Sequence, residues 1–440
     1  MRFRYWQCLA ALGCAAFLVA CSSSSSDSKK DEKENPAPEQ YDVTLLTVDG
    51  GFSPLGSVEI FLPGSTAADA TTAVDGTATL ELDQVQVLEF RKAGYVPQTV
   101  SGAHWDTADG MTIFVWMPEQ NVDGGTIAGT ITGITGFDPL IIGTNAGAWI
   151  TQSVNYSTPL PASPPTFLYS GHSAFGGKTS IFAFPQALNI PAADAFFGIK
   201  TGIDVTAGSA LMGQDFALEY GGKTFTVTSA GGQNNASIGY QIFMQGVGEL
   251  FSHTNELLAP TGMLAVTVPT NTGALNTTGA WLMTSDNIPL GDGSNKFLFA
   301  RIQFNSRTEL EAAASAQTIT LVDRGLSAIS PAHGATNVSL TPAISLAIAA
   351  TDTLIVNVYI RKYTGTYAQT VWLGSMDPDA GPMTVPAGIL AADTTYSLEV
   401  QALAWTPAGF TPTDINPRTS LNISGVNNIF FSTGATVTPF

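Results

Sequence analysis

From Tyr41 onward, apolar residues fall at every second position in short runs: Val43 and Leu45; Val58, Ile60 and Leu62; Ala78, Leu80 and Leu82; Ile113, Val115 and Met117. A period of two places one set of side chains on one face of an extended strand, so each run predicts a half-buried β-strand. The runs 180–184, 223–228, 264–268, 318–322, 354–360 and 395–403 look like further strands. Asp75-Gly76, between Ala73-Val74 and Thr77-Ala78, has the sequence of a tight hairpin turn, because Gly takes positive φ freely. Composition points the same way: 12% of residues are charged and 44% hydrophobic, which suits uncharged β-rich domains better than helical ones. The expected fold is mostly β, a multi-domain chain of β-sandwiches. One helix is expected, where Ser306 and Glu309 have capping-box spacing and 310–316 is rich in helix formers.

The N-terminus is of a different kind. Arg2 and Arg4 precede a mostly apolar stretch from Tyr5 to Leu18, and Leu18-Val19-Ala20-Cys21 closes it directly before five serines. The stretch is shorter than the about 20 apolar residues needed to cross a bilayer, and it has the layout of a secretory signal. The pattern resembles the lipobox of bacterial lipoproteins. That resemblance implies lipidation of Cys21, cleavage before it, and membrane attachment by acyl chains, each buried methylene contributing about 0.8 kcal/mol. Ser22 stands where the inner-membrane retention signal of such lipoproteins would have Asp, which favours an outer-membrane location. Cys8 and Cys14 would leave with residues 1–20, so a mature chain keeps Cys21 alone, and disulfides and cysteine-based metal sites are excluded. Residues 21–40, with serines, mixed charges and Pro36 and Pro38, read as a flexible, disordered tether.

Two further resemblances divide the chain beyond the tether. Pro54-Leu55-Gly56-Ser57-Val58-Glu59-Ile60, then 72–80 around Asp75-Gly76, then Leu88-Glu89-Phe90-Arg91-Lys92-Ala93-Gly94-Tyr95-Val96-Pro97 are similar to a carboxypeptidase regulatory-like domain. That family implies a small transthyretin-like sandwich over 41–119 that supports other domains and carries no catalytic residues. Ile329-Ser330-Pro331-Ala332-His333-Gly334-Ala335-Thr336-Asn337-Val338-Ser339-Leu340 resembles the opening strand of bacterial immunoglobulin-like or fibronectin-like modules, and Ile429-Phe430-Phe431-Ser432-Thr433-Gly434 their closing strand. A sandwich over 326–440 is the implication, leaving a central β-rich domain over 120–325.

Chemical motifs in the central region are weak. Gly171-His172-Ser173-Ala174-Phe175 departs from a nucleophile elbow at Phe175, and Gly176-Gly177-Lys178-Thr179 lacks the glycine spacing of a phosphate loop. His253-Thr254-Asn255-Glu256 has the His-x-x-Glu spacing of zinc carboxypeptidases, with only His333 after it. The bland reading, a loop histidine, is preferred, because zinc catalysis needs three convergent protein ligands. The acidic stretches 286–295 and 377–381 have oxygen donors for calcium but match no full loop, and are read as turns. No catalytic, cofactor-binding or metal residue is therefore assigned, and no cofactor is expected. Trp149, Tyr156, Tyr169, Tyr220, Tyr240 and Trp281 are candidates for either core packing or a flat surface that stacks against sugars or peptides.

The formal net charge is −18, and loss of Arg2 and Arg4 leaves −20, which repels phosphate backbones and argues against nucleic acid as a partner. The sequence-level expectation is a cell-envelope lipoprotein held to the membrane through Cys21, acting as a binding or scaffolding module for a polysaccharide or protein ligand. One alternative is a hydrolase of envelope or extracellular polymers using Asp194, Asp215, Glu219 or Glu249. The other is a purely structural spacer or assembly subunit.

Overall fold

The computed structural model describes residues 40–48, 54–83, 85–104, 111–115, 121–125, 131–132, 140–144, 149–152, 167–170, 178–185, 196–204, 215–244, 248–257, 259–270, 278–304, 306–363, 368–379, 381–407 and 418–439. The first region contributes β1 (Gln40–Val48), β2 (Glu59–Phe61), β3 (Ala70–Thr71), β4 (Thr77–Asp83), β5 (Val85–Arg91), β6 (Gln98–His104) and β7 (Met111–Phe114). The middle opens with β8 (Asn121–Gly125), β9 (Ile131–Thr132), β10 (Leu140–Thr144), β11 (Trp149–Gln152), β12 (Phe167–Ser170), β13 (Lys178–Pro185), β14 (Phe196–Asp204), β15 (Phe216–Ala217) and β16 (Glu219–Tyr220). It continues with β17 (Gly222–Ala230), β18 (Ala236–Met244), β19 (Gly248–Glu256), β20 (Gly262–Pro269), β21 (Thr278–Pro289), β22 (Asn295–Phe304), the helix α1 (Arg307–Ala312) and β23 (Ala316–Thr320). The last region contributes β24 (Ser327–Ser330), β25 (Ala343–Ala347), β26 (Ile355–Tyr363), β27 (Ala368–Met376), β28 (Met383–Thr384), β29 (Thr395–Pro407) and β30 (Arg418–Ser432). The chain is mostly β, as its alternation predicts.

One sheet draws strands from all three regions, in the order β19-β18-β21-β22-β30-β29-β26-β27-β6-β5-β2-β3. Two pairings cross the expected domain boundaries: β22 runs antiparallel to β30 from Asn295↔Asn427 to Ile302↔Ser420, and β27 runs parallel to β6 from Leu373↔Gln98 to Met376↔Ser101. The row Phe299, Ile423, Leu403 and Ile355 lies on one face, in one apolar cluster with Val43, Leu45, Leu80 and Leu82 of the three-stranded sheet β4-β1-β7. The next row, Leu298, Ser424, Ala402 and Val356, lies on the other face. There, Leu298 packs in a core with Phe225, Val227 and Val266 of the sheet β20-β17-β23, and Val356 in a core with Ile344 and Met383 of the sheet β24-β25-β28. Three smaller layers thus share one long layer.

Several local expectations hold with changes. The Asp75-Gly76 turn forms, with Gly76 at φ 79° and its N–H donating to the Ala73 carbonyl over 2.9 Å. Its flanking strands then separate, β3 into the long sheet and β4 into the short one, so the turn joins two layers of a sandwich. Gly76 is required there, because a Cβ would sit 2.4 Å from the Thr47 carbonyl oxygen. The segment read as the opening strand of the last sandwich is split in the same way: 327–330 pairs with β25, whereas 334–338 bonds to the end of β30 and the residues just beyond it. The helix starts at its expected N-cap, the Ser306 hydroxyl accepting from Glu309 N–H, but stops at Ala312. Among the described residues no helix is long and apolar enough to cross a membrane.

Candidate functional site

Several sequence candidates lie outside the described residues: Cys21 with 22–39 of its tether, whose last residue, Gln40, already opens β1, Tyr156, the glycine-rich stretch 171–177, and Asp194. Trp149 falls on β11, Tyr169 on β12, and Glu249, His253 and Glu256 on β19. The His-x-x-Glu spacing thus falls on a strand and not on a loop. His333 lies far along the chain, its Nδ1 3.3 Å from the Phe430 N–H and 3.1 Å from the Asn428 carbonyl oxygen. Among the described residues, no three His, Cys, Asp or Glu side chains gather as a metal site would need.

The acidic stretches are turns and clamps. Asp377 Oδ1 accepts from Asp379 N–H at 2.9 Å, and Asp292 Oδ1 accepts from the Ser294 N–H at 2.9 Å and hydroxyl at 2.6 Å. The two Ser294 bonds, aided by the charge of His333, hold the Asp292 carboxyl below the ordinary carboxylate range. Asp286 is only 2% exposed, and its Oδ2 accepts from the backbone N–H groups of Gln233 and Asn234 at 2.5 and 2.8 Å. It ties the loop after β17 to β21.

Charged residues within apolar strand runs mark buried polar pairs that the sequence reading missed. Arg301, 1% exposed, interrupts the apolar run of β22, and its guanidinium carbon lies 3.4 Å from the centre of the Trp281 ring. A desolvated contact of this kind is worth about 2 kcal/mol. Glu399, 2% exposed on β29, accepts from the Arg361 guanidinium and from Gln401 Nε2 at 2.6 Å. Near the middle-to-last junction, Asp323 Oδ2 accepts from Lys296 Nζ at 2.6 Å and Gln233 Nε2 at 3.1 Å, and its Oδ1 from Gly325 N–H at 3.0 Å. Burial alone would raise the Asp323 carboxyl, but these bonds hold it below its ordinary value. The next residue, buried Arg324, pairs with Asp352. These contacts fix one strand, loop or region against another.

Of the aromatic candidates, Tyr240 and Trp281 are core residues, whereas Tyr220 is 60% exposed. Tyr220 ends the two-residue edge strand β16, opposite Phe196 of β14, with ring centres 4.9 Å apart and planes inclined by 55°. Two residues earlier Leu218 is buried, its Cδ2 2.9 Å from where Gly198 would carry a Cβ, so the missing side chain lets the edge segment lie close on β14. Asp215 and Glu219 are exposed on the same segment. A shallow depression elsewhere, between α1 and the ends of β18, β20 and β21, is lined by Ile242, Pro269, Ala280, Arg307 and Leu310 and holds no acid–base pair.

No family model matches the chain, and no curated protein matches it. Among solved structures, BcpA, the major pilin subunit of Bacillus cereus, aligns over 88% of this chain and 95% of its own at 8% identity, with a TM-score of 0.15. A tetra-tandem repeat in the extending region of a large adhesion protein aligns over 82% of this chain and 95% of its own at 13% identity, with a TM-score of 0.10.

Proposed function

We propose that this chain is a cell-envelope lipoprotein, anchored through Cys21, whose folded part is a stiff scaffold that holds a binding surface away from a membrane. The observation that carries the scaffold reading is the twelve-stranded sheet, in which strands from the first, middle and last regions are hydrogen-bonded side by side. Domains joined by a flexible linker move relative to one another by default. Here β6–β27 and β22–β30 replace linkers with ladders, and the Lys296–Asp323 and Arg324–Asp352 pairs brace the segment that leads into the last region. The anchor and outer-membrane location rest on the lipobox resemblance around Cys21.

A hydrolase reading would need paired carboxylates about 5–10 Å apart in a groove. Asp215 and Glu219 instead stand exposed on an edge segment. A ligand-binding role has one specific observation in its favour, the exposed ring of Tyr220.

Two measurements test the proposal. Expression of the full chain with labelled palmitate is expected to label it and to bring it into the membrane fraction, and Cys21→Ser to abolish both; an unlabelled native chain sinks the anchor. Small-angle scattering of the chain from residue 21, carrying Cys21→Ser, is expected to fit one rigid body over 41–440. A profile that requires independently moving modules sinks the scaffold.

A further inference from the structure

We propose that β1 and β7 form a shear clamp, two strands placed so that tension from a membrane anchor falls on all of their bonds together; the source of the tension, though not the clamp, rests on the reading of Cys21 as the anchor. The tether enters the first region at Gln40, the start of β1, and the chain leaves that region after Val115, just beyond β7. β1 and β7 are parallel neighbours, in register from Leu45↔Met111 to Val48↔Phe114, and the Val115 N–H extends the ladder by donating to the Val48 carbonyl at 2.9 Å. In a parallel pair the start of one strand and the end of the other lie at opposite ends of the ladder. Tension between residue 40 and the chain beyond 115 therefore slides the strands lengthwise. In an antiparallel pair the same tension would open the ladder from one end, a bond at a time.

Other contacts resist that slide. β1 is the central strand of its sheet, so β4 also holds it, in antiparallel pairs from Gln40↔Asp83 to Leu46↔Thr77. Val43 and Leu45 of β1 are buried in the core shared with the long sheet, and a slip of one residue would turn both away from that core. At the far end, buried Thr47 is pinned on three sides. Its N–H donates to the Gly76 carbonyl at 2.8 Å, its carbonyl accepts from the Leu55 N–H at 2.8 Å, and its hydroxyl donates to the Leu55 carbonyl at 2.5 Å. This lock sits at the end of β1 away from the tether, where peeling from Gln40 would reach it last.

The test is single-molecule pulling of the full chain from residue 21, with Cys21 as one handle and an introduced cysteine as the other. Val74→Cys, at a position 95% exposed beside the Asp75-Gly76 turn, puts the second handle at the Val48 end of β1, so the load slides β1 past both neighbours. Val87→Cys, at a position 41% exposed near the start of β5, puts it close to Asp83, the partner of Gln40, so the load peels β1 from its tether end. At one fixed load the first pair of handles is expected to hold at least about tenfold longer than the second, the equivalent of about 1.4 kcal/mol of added barrier. Val115→Pro, which removes the N–H bonded to Val48, is expected to shorten the first lifetime and leave the second unchanged. Should that proline unfold the region, both lifetimes collapse, and the comparison of the two handle pairs with Val115 intact decides alone. Equal lifetimes, or a longer one under peeling, overturn the clamp, as does a lengthwise lifetime indifferent to Val115→Pro in a folded chain. The handles replace the lipid, so these readings do not depend on acylation: a chain that takes no palmitate loses the anchor, and equal lifetimes lose the clamp.

Discussion

Single residues show how closely the layers approach. A Cβ on Gly425 of β30 would lie 2.1 and 2.3 Å from Cζ and Cε1 of Phe297, whose ring belongs to the core shared with the first region. Gly425→Ala is expected to cost about 1–3 kcal/mol, read as a lower melting temperature, whereas Gly291→Ala, with nothing within 4 Å, is expected to leave it unchanged. Titration at Asp323 is a second residue-scale prediction. Its folded pKa is lowered, so its contribution is complete above the unfolded value of about 3.9 and is lost as pH falls through the lower folded value. Thermal melts at pH 7 down to 2.5 are expected to show a stability loss below about pH 4 that is smaller in Asp323→Asn. Local residue signals were readable in the sequence: Asp75-Gly76 and Ser306–Glu309 act on neighbours a few positions away. Arg301 and Glu399 stand as charges in apolar runs, but Trp281 and Arg361, which they meet, sit on other strands and leave no trace in local spacing.

At the level of elements, strands with one wet face were the easiest to read. β17 alternates exposed and buried positions, and its run from Lys223 to Thr228 predicts a strand directly. β22 escapes a reading by alternation because both its faces are covered, one by the cluster containing Phe297 and Phe299 and the other by the core containing Leu298 and Ala300. Burial on two sides erases the period of two and leaves an apolar run that helix and strand share. The aromatic edge was half readable: Tyr220 was a candidate by residue type, but its exposure depends on β16 being an edge, which pairing alone decides. The β6–β27 seam is held by more than its ladder, because Trp372 Nε1 donates to the Thr99 hydroxyl at 3.1 Å in a buried contact. A double-mutant cycle of Trp372→Phe and Thr99→Val is expected to give a coupling of about 0.5–1.5 kcal/mol in chemical denaturation. Zero coupling would mean the two residues pack independently.

For the whole molecule, the sheet order predicts cooperativity. Three resemblance-based modules, taken as beads, would melt in three steps; a chain whose strands interleave in one layer is expected to melt in one dominant calorimetric transition. Removal of 41–119 is expected to lower the melting temperature of the remainder, because it strips β6 from β27 and exposes the core face carrying Leu403 and Ile423. An unchanged melt of the truncated chain would show that the first region merely leans on the rest. This arrangement could not be read from the sequence, since a strand's outward edge is backbone and carries no residue code for its partner.

The parallel seam also sets a clock. Thr99 and Trp372 are 273 positions apart, so in a chain that emerges N-terminus first the edge of β6 is exposed well before its partner arrives. During that interval it is an open strand edge able to pair with another chain. A nascent chain halted before β27 is therefore a polymerisation hazard that a completed one is not, and protection by a holding chaperone matters most in that window.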